Sequence, residues 1–231
     1  ACLLVDGAIA GFVPKQHLAG DGIHYEPRWF RPWPANARGT VRLDGAEVPV
    51  GDLLFDVGGV RLGFEICEDA WVAQRPGGAL ARRGVDLLLN PSASHFAFGK
   101  HEIRERLVVE GSRAFGVGYL YSNLLGNEAG RVLYDGGALV AQGGRVLARG
   151  ERFSFRDFSM AVATLDVDAT RTTQARTGSF LPDFGADEGA VRCAFEFPAR
   201  QPEAEPTVQE DPFASKEEEC TRALSLALFD Y

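Results

Sequence analysis

The sequence predicts an α/β fold. Three observations carry the prediction. Val85-Asp86-Leu87-Leu88-Leu89-Asn90 is an almost unbroken apolar run, typical of a strand buried on both faces. Residues 100–115 have helical spacing, with Ile103, Leu107, Val108 and Ala114 expected to face inward and charges to lie elsewhere. Gly118-Tyr119-Leu120-Tyr121-Ser122-Asn123 then returns as a second core strand. Strand, helix and strand in succession give α/β layering, and loops at strand ends are the natural active-site edge.

Taken in order, the chain opens on Ala1 and runs at once into Cys2-Leu3-Leu4-Val5, a strand in mid-flow. This leads us to expect further sequence N-terminal to it. Asp6-Gly7 is a turn signal, and Ile9-Ala10-Gly11-Phe12-Val13 returns as the second strand of a hairpin. Pro14 ends that strand and Lys15 projects from the turn. The next segment, residues 20–34, is too rich in proline for a helix and too aromatic for a linker. It is expected to fold over and line a pocket, with Tyr25, Trp29 and Phe30 acting as loop core rather than as substrate contacts.

Residues 40–43 and 46–49 read as a hairpin around Asp44-Gly45, and residues 53–55 and 60–66 as strands. Residues 78–83 are a short helix. After the buried strand comes a small-residue loop, Pro91-Ser92-Ala93-Ser94-His95. Residues 132–134, 138–142 and 145–148, joined by glycine-rich turns, read as an antiparallel meander. Residues 160–166 and 194–197 read as two late strands, with a helix starting over 167–172. Residues 198–206 are rich in proline and glutamate, a linker by composition. Ser215 and Glu218 have capping-box spacing, and the helix they open stays apolar almost to Tyr231, so further sequence is expected beyond it. The organisation that follows is a domain over 1–197 and a linker with a connector helix over 198–231.

The composition narrows the function. The chain has 231 residues, is 45% hydrophobic and 24% charged, and carries a net charge of -8. That is enough for one domain with a real core, and the acidic balance argues against a nucleic-acid partner. No apolar run approaches the roughly 20 residues that span a membrane, and no signal segment opens the chain. Cys2, Cys67, Cys193 and Cys220 are scattered, so their spacing suggests neither a zinc site nor a redox pair and fits free thiols in a reducing cytoplasm. His17, His24, His95 and His101 lack metal-site patterning, so no metal site is expected. No phosphate-cradling G-x-x-x-x-G-K-[ST] loop is present.

The candidate site is Gly63-Phe64-Glu65-Ile66-Cys67-Glu68-Asp69-Ala70-Trp71. Val60, Leu62, Phe64 and Ile66 alternate as a strand with one face in a core. Cys67 stands at its end, where a side chain is held rigidly yet faces a cleft. A cysteine attacks as a thiolate. Glu65, Glu68 and Asp69 would each oppose that state, so a cation is chemically required, and Lys15 is the candidate. Together with the backbone N–H of Glu68 it would stabilise an oxyanion. No histidine has a claim to be the base. On pattern alone, a small buried apolar cysteine is the simpler reading of Cys67, as it is for Cys2, Cys193 and Cys220.

Val13-Pro14-Lys15, Tyr25-Glu26-x-Arg28-Trp29-Phe30, Glu65-Ile66-Cys67-Glu68-Asp69 and Leu89-Asn90-x-Ser92-Ala93-Ser94 together resemble the nitrilase superfamily of carbon–nitrogen hydrolases. Within it they are most like the glutaminase domain of glutamine-dependent NAD synthetases. The resemblance covers about residues 7–185, and the 212–231 tail resembles the connector to a synthetase domain.

It implies an α-β-β-α sandwich, incomplete at the N-terminus, and a Glu–Lys–Cys site. Cys67 would be the nucleophile, Lys15 the triad lysine and Glu26 a glutamate that orients it. Trp71 would line the glutamine pocket, and Ser94 would lie in the loop that holds the substrate's amino-acid end. The family's general-base glutamate lies before the lysine, outside this sequence, so the 231 residues alone are expected to be inactive. L-Glutamine would be the substrate, with no cofactor for its hydrolysis. A synthetase domain of the same polypeptide, absent here, would use the ammonia with ATP and Mg. A homo-oligomer is also implied. The alternatives are a stand-alone amidase acting on another small amide, or a non-catalytic scaffold.

Overall fold

Asp6 and Gly7 take positive φ (49° and 78°), as a two-residue hairpin turn requires, and join β1 (Cys2–Val5) to β2 (Ala8–Phe12). Asp44 and Gly45 do the same between β3 (Arg38–Leu43) and β4 (Ala46–Gly51). Strand β2 runs beside β4, giving a four-stranded sheet in the order β1-β2-β4-β3. These coordinates come from a computed structural model, which describes residues 1–183, 189–198, 206–207, 213 and 215–231.

The main sheet has seven strands. β5 (Leu54–Val57) and β6 (Val60–Phe64) form a hairpin; β7 (Leu87–Ser92) and β8 (Gly118–Asn123) continue parallel to β6. Helix α1 (Pro76–Arg82) links β6 to β7, and α2 (Lys100–Phe115) links β7 to β8. β9 (Leu125–Glu128) and β10 (Val132–Asp135) form a separate hairpin. β11 (Ala138–Gln142) then pairs with β8, β12 (Arg145–Arg149) extends the edge, and after α3 (Val167–Arg176) β13 (Ala190–Cys193) closes the opposite edge beside β5.

The sheet has apolar clusters on both faces. Leu80, Val85, Leu88, Val108, Tyr119 and Leu139 form one, under α1 and α2. Val13, Leu53, Phe55 and Val57 form the other, joined by Leu62, Phe64 and Ile66 from β6 and by Leu3, Val5 and Ala10 from the small sheet. The period-two reading of β6 therefore holds. A third cluster seats α4 (Lys216–Phe229): Ala223 and Leu226 pack with Phe153, Leu125 and Leu133. Ser215 caps α4 as its spacing predicts, its hydroxyl accepting from the Glu218 N–H. Most of the expected linker, residues 199–205, lies outside the described residues.

Several expectations are corrected. The inward face of α2 is Arg104, Val108, Gly111 and Ser112, while Ile103 is 48% exposed and Ala114 also faces out. A buried ion pair takes Arg104 inside and turns the helix by about one residue from its apolar spacing. The meander is split, because β10 pairs with β9, a polar strand with no apolar alternation. Residues 160–166 form no strand. Val162 bonds instead to Thr207 and Asp166 to the Gln142 side chain, and among the described residues no sheet edge receives them. The late strand lies at 190–193 rather than 194–197, since the register with β5 is set there and Phe195 and Phe197 meet edge to face instead. Of the thiols, Cys2 is exposed and Cys193 and Cys220 are half-buried; all are free.

Candidate active site

Strands β6, β7 and β8 are parallel, so their carboxyl ends lie along one edge of the sheet, where open α/β sheets bind ligands. Cys67 follows β6 at this edge and opens a single 3-10 turn, Cys67–Ala70. Its φ is +48°. A non-glycine residue in this region costs on the order of 1–3 kcal/mol and persists only where its surroundings hold it.

The thiol faces a cavity of about 660 Å³. Lys15, from the turn after β2, and Glu26, from the aromatic loop, line the same cavity. The Lys15 ammonium donates to Glu26 Oε2 at 2.5 Å, and the Ala19 N–H donates to the same oxygen at 2.7 Å. The Lys15 side chain is only 13% exposed, so its stem and charge are both fixed by the loop. Ser92, the last residue of β7, and Ala93 also line the cavity.

The acidic neighbours of Cys67 do not act as free charges on it. Strand alternation turns Glu65 to the face opposite Ile66, where it is fully buried. Arg75 donates to it at 3.1 and 2.6 Å, the Tyr119 hydroxyl at 2.6 Å and the Gly77 N–H at 3.0 Å. A Cβ at Gly77 would lie 2.8 Å from that carboxylate, so glycine permits the approach. Burial raises the Tyr119 pKa well above its ordinary value, and the Glu65 charge adds to the shift. Asp69 is likewise consumed, by backbone N–H groups. Glu68 is partly exposed, and burial raises its carboxyl above the usual range while the Lys15 charge opposes the shift.

The predicted residues thus divide. Cys67, Lys15 and Glu26 meet at one cavity. Trp71 lies outside its lining, 37% exposed, with the Lys100 ammonium 5.9 Å from its ring centre. Ser94 is buried behind the wall: its hydroxyl accepts from Arg104 Nε at 3.2 Å and its N–H donates to Asn123. The Glu68 side chain is also outside the lining.

The aromatic loop does line the pocket, but Tyr25, Trp29 and Phe30 are not its core. They are 51%, 67% and 65% exposed and stand on the cavity wall, correcting the reading of them as packing. The sequence reading also missed Glu128, Arg131 and Tyr134, which reach the cavity from the β9–β10 hairpin. The Tyr134 hydroxyl donates to Glu128 Oε2 at 2.6 Å, and the Arg131 guanidinium lies 5.9 Å from the Tyr25 ring centre. Burial, then the bond to Glu128, raises the Tyr134 pKa. Their signal lay in the β9–β10 hairpin, of which only the second strand was legible.

No family model matches the chain. It is similar to the glutamine-dependent NAD(+) synthetase of Saccharomyces cerevisiae, 34% identical over 182 residues, covering 75% of this chain and 26% of the yeast protein. The human glutamine-dependent NAD(+) synthetase is 35% identical over 176 residues, covering 72% of this chain and 25% of its own length. Among solved structures, a glutamine-dependent NAD(+) synthetase from Cytophaga hutchinsonii matches with a TM-score of 0.63 at 46% identity, over 71% of this chain and 27% of that one.

The chain is thus similar to part of the glutamine-dependent NAD(+) synthetases. A carbon–nitrogen hydrolase from Helicobacter pylori G27 shares its fold, with a TM-score of 0.58 at 22% identity, over 76% of this chain and 58% of that one. It spans about a quarter of the length of the curated relatives it matches. Among the described residues, no helix is long and apolar enough to cross a membrane.

Proposed function

We propose that the domain hydrolyses the side-chain amide of L-glutamine and releases ammonia. The observation that carries this reading is the convergence of Cys67, Lys15 and Glu26 on one cavity, in a chain related to glutamine-dependent synthetases. Cys67 attacks the amide carbon as a thiolate; the carbonyl oxygen becomes an oxyanion beside the Lys15 ammonium and the Glu68 N–H. Collapse of the intermediate breaks the C–N bond, ammonia leaves with an added proton, and a glutamyl thioester remains. Water then hydrolyses the thioester to glutamate and the free thiol. The family pattern assigns the proton transfers to a carboxylate N-terminal to Lys15, so the test uses the full-length polypeptide.

The cavity also supplies groups for a zwitterionic amino acid. Glu128 suits an α-ammonium and Arg131 an α-carboxylate, with Tyr25, Trp29 and Phe30 packing on the methylenes between. In this reading Trp71 and Ser94 support the site from outside its wall, Trp71 beside Lys100 and Ser94 through Arg104. The ammonia passes to a synthetase domain of the same polypeptide, which uses ATP and Mg, in a cytoplasmic homo-oligomer. None of that second reaction is assigned to the residues described above.

The test is direct. Cys67→Ala in the full-length polypeptide should reduce ammonia release from glutamine to background, and a glutamine-mimicking electrophile should label Cys67 in the unaltered protein. Ammonia release that survives Cys67→Ala rejects the reading. Labelling and turnover with other small amides but not with glutamine would favour a general amidase.

A further inference from the structure

Asp69 takes no part in the bond-making steps, yet it touches both segments that carry them. It is 2% exposed. Its Oδ1 accepts from the Gln16 N–H at 3.2 Å, the His17 N–H at 2.7 Å and His17 Nδ1 at 3.1 Å, and its Oδ2 accepts from the Ile66 N–H at 3.1 Å. Gln16 and His17 directly follow Lys15; Ile66 directly precedes Cys67. One carboxylate therefore ties together two segments about 50 residues apart in the chain, each at the residue next to a reacting group. On one side it pins the turn that projects Lys15. On the other it fixes the entry to Cys67, whose φ of +48° needs such a hold. Burial raises the Asp69 carboxyl above its usual range, and the hydrogen bonds from His17 and Ile66 oppose that shift.

We propose that Asp69 is a positioning residue that sets the placement of Lys15 relative to the Cys67 sulfur. This rests on the reading of Cys67 as nucleophile and Lys15 as its cationic partner. Both carboxylate oxygens are needed. In Asp69→Asn only one oxygen remains, and the new amide N–H₂ must face either the Ile66 N–H or the Gln16 and His17 N–H groups. A donor against a donor releases one of the two segments, and a reacting group displaced by about an ångström loses on the order of 10²-fold in rate.

The experiment compares the full-length protein with Asp69→Asn, Asp69→Glu and Asp52→Asn. Asp52 is a control: a buried carboxylate paired with Arg83 at 2.8 Å, outside the cavity lining. Asp69→Asn should lower kcat for glutamine hydrolysis by about 10²-fold with KM within about threefold. It should also raise the midpoint of the pH–rate profile for alkylation of Cys67 by iodoacetamide, because Lys15 no longer supports the thiolate. Asp52→Asn should lower Tm and leave kcat and the alkylation midpoint in place. If Asp69→Asn does not fold, Asp69→Glu decides: it keeps both acceptors on a longer arm and should give a kcat below wild type at unchanged KM. Wild-type kcat and alkylation midpoint in the folded Asp69 variant overturn the proposal. If the unaltered protein releases no ammonia from glutamine but the midpoint still moves in Asp69→Asn, the positioning role stands and the glutaminase reading falls.

Discussion

The acidic stretch around Cys67 pointed to a cation and the turn after β2 to Lys15, and the fold places Lys15 on the same cavity as the thiol. Its partner was not legible by spacing: Glu26 is eleven residues away, and only the loop's fold brings its oxygen to 2.5 Å. Lys100 was not singled out at all. Its ammonium lies 3.1 and 3.2 Å from the two ring nitrogens of His95, and His95 Nδ1 is 2.9 Å from His24 Nε2. Burial, with the Arg104 charge second, lowers the Lys100 pKa to about 8; burial, with the Lys100 charge second, lowers that of His95 to about 4. The sign follows from linkage. Each group loses its proton in the folded protein at a lower pH than in the unfolded chain, so the unfolded chain binds more protons between the two values. Stability should rise with pH from about 4 to 6.5 through His95, and from about 8 to 10.5 through Lys100. Urea unfolding across pH should show that the second rise disappears in Lys100→Met.

At the scale of elements, α2 carries the lesson that a helix face is chosen by partners as well as by apolar spacing. Arg104 is 1% exposed and donates to both oxygens of Asp135 at 2.8 and 2.9 Å; Arg152 reaches the same carboxylate at 2.9 Å and extends to Glu219 of α4 at 2.6 Å. Arg104 also donates to the carbonyl oxygens of Ser94 and His95, which fixes the loop after β7 from behind. The network thus links α2, β10, α4 and the cavity wall. Asp135→Ala would leave two buried guanidiniums without their shared partner and should cost about 3–5 kcal/mol, read as a fall in the midpoint of chemical unfolding. Replacing Asp135 together with both arginines by apolar residues should recover much of that loss. The Ser215 N-cap of α4 needed no tertiary information, since its hydroxyl and the Glu218 N–H lie within one turn. β9 did, because Leu-Gly-Asn-Glu has no apolar alternation and becomes a strand through its register with β10.

At the scale of the whole molecule, the cavity is assembled from parts that no local pattern connects. The turn after β2, the aromatic loop, the ends of β6 and β7 and the β9–β10 hairpin each supply a wall. Glu128 tests this assembly, because it belongs to the hairpin farthest in sequence from Lys15. A hydrogen bond to a charged group contributes about 1.5–3 kcal/mol, so Glu128→Gln should raise KM for glutamine by roughly 10- to 100-fold with kcat little changed. Steady-state ammonia release checks the split; a fall in kcat at constant KM would place Glu128 in the chemistry instead.

The sequence by itself determined the α/β class, the strand that leads to Cys67, and the hairpin turns at Asp6-Gly7 and Asp44-Gly45. These are local matters: side-chain period and turn backbone act over a few residues. The tertiary structure alone decided which carboxylates near Cys67 stay free of it, which aromatic residues face the cavity, and that Glu128, Arg131 and Tyr134 join the site. They depend on contacts between segments, as where Glu65 meets Tyr119 and Asp69 meets His17, each pair more than 50 residues apart. Glu65 is turned away by Arg75 and Tyr119, and Asp69 is taken up by the segments beside Lys15 and Cys67, because a buried carboxylate must find its donors wherever the fold brings them.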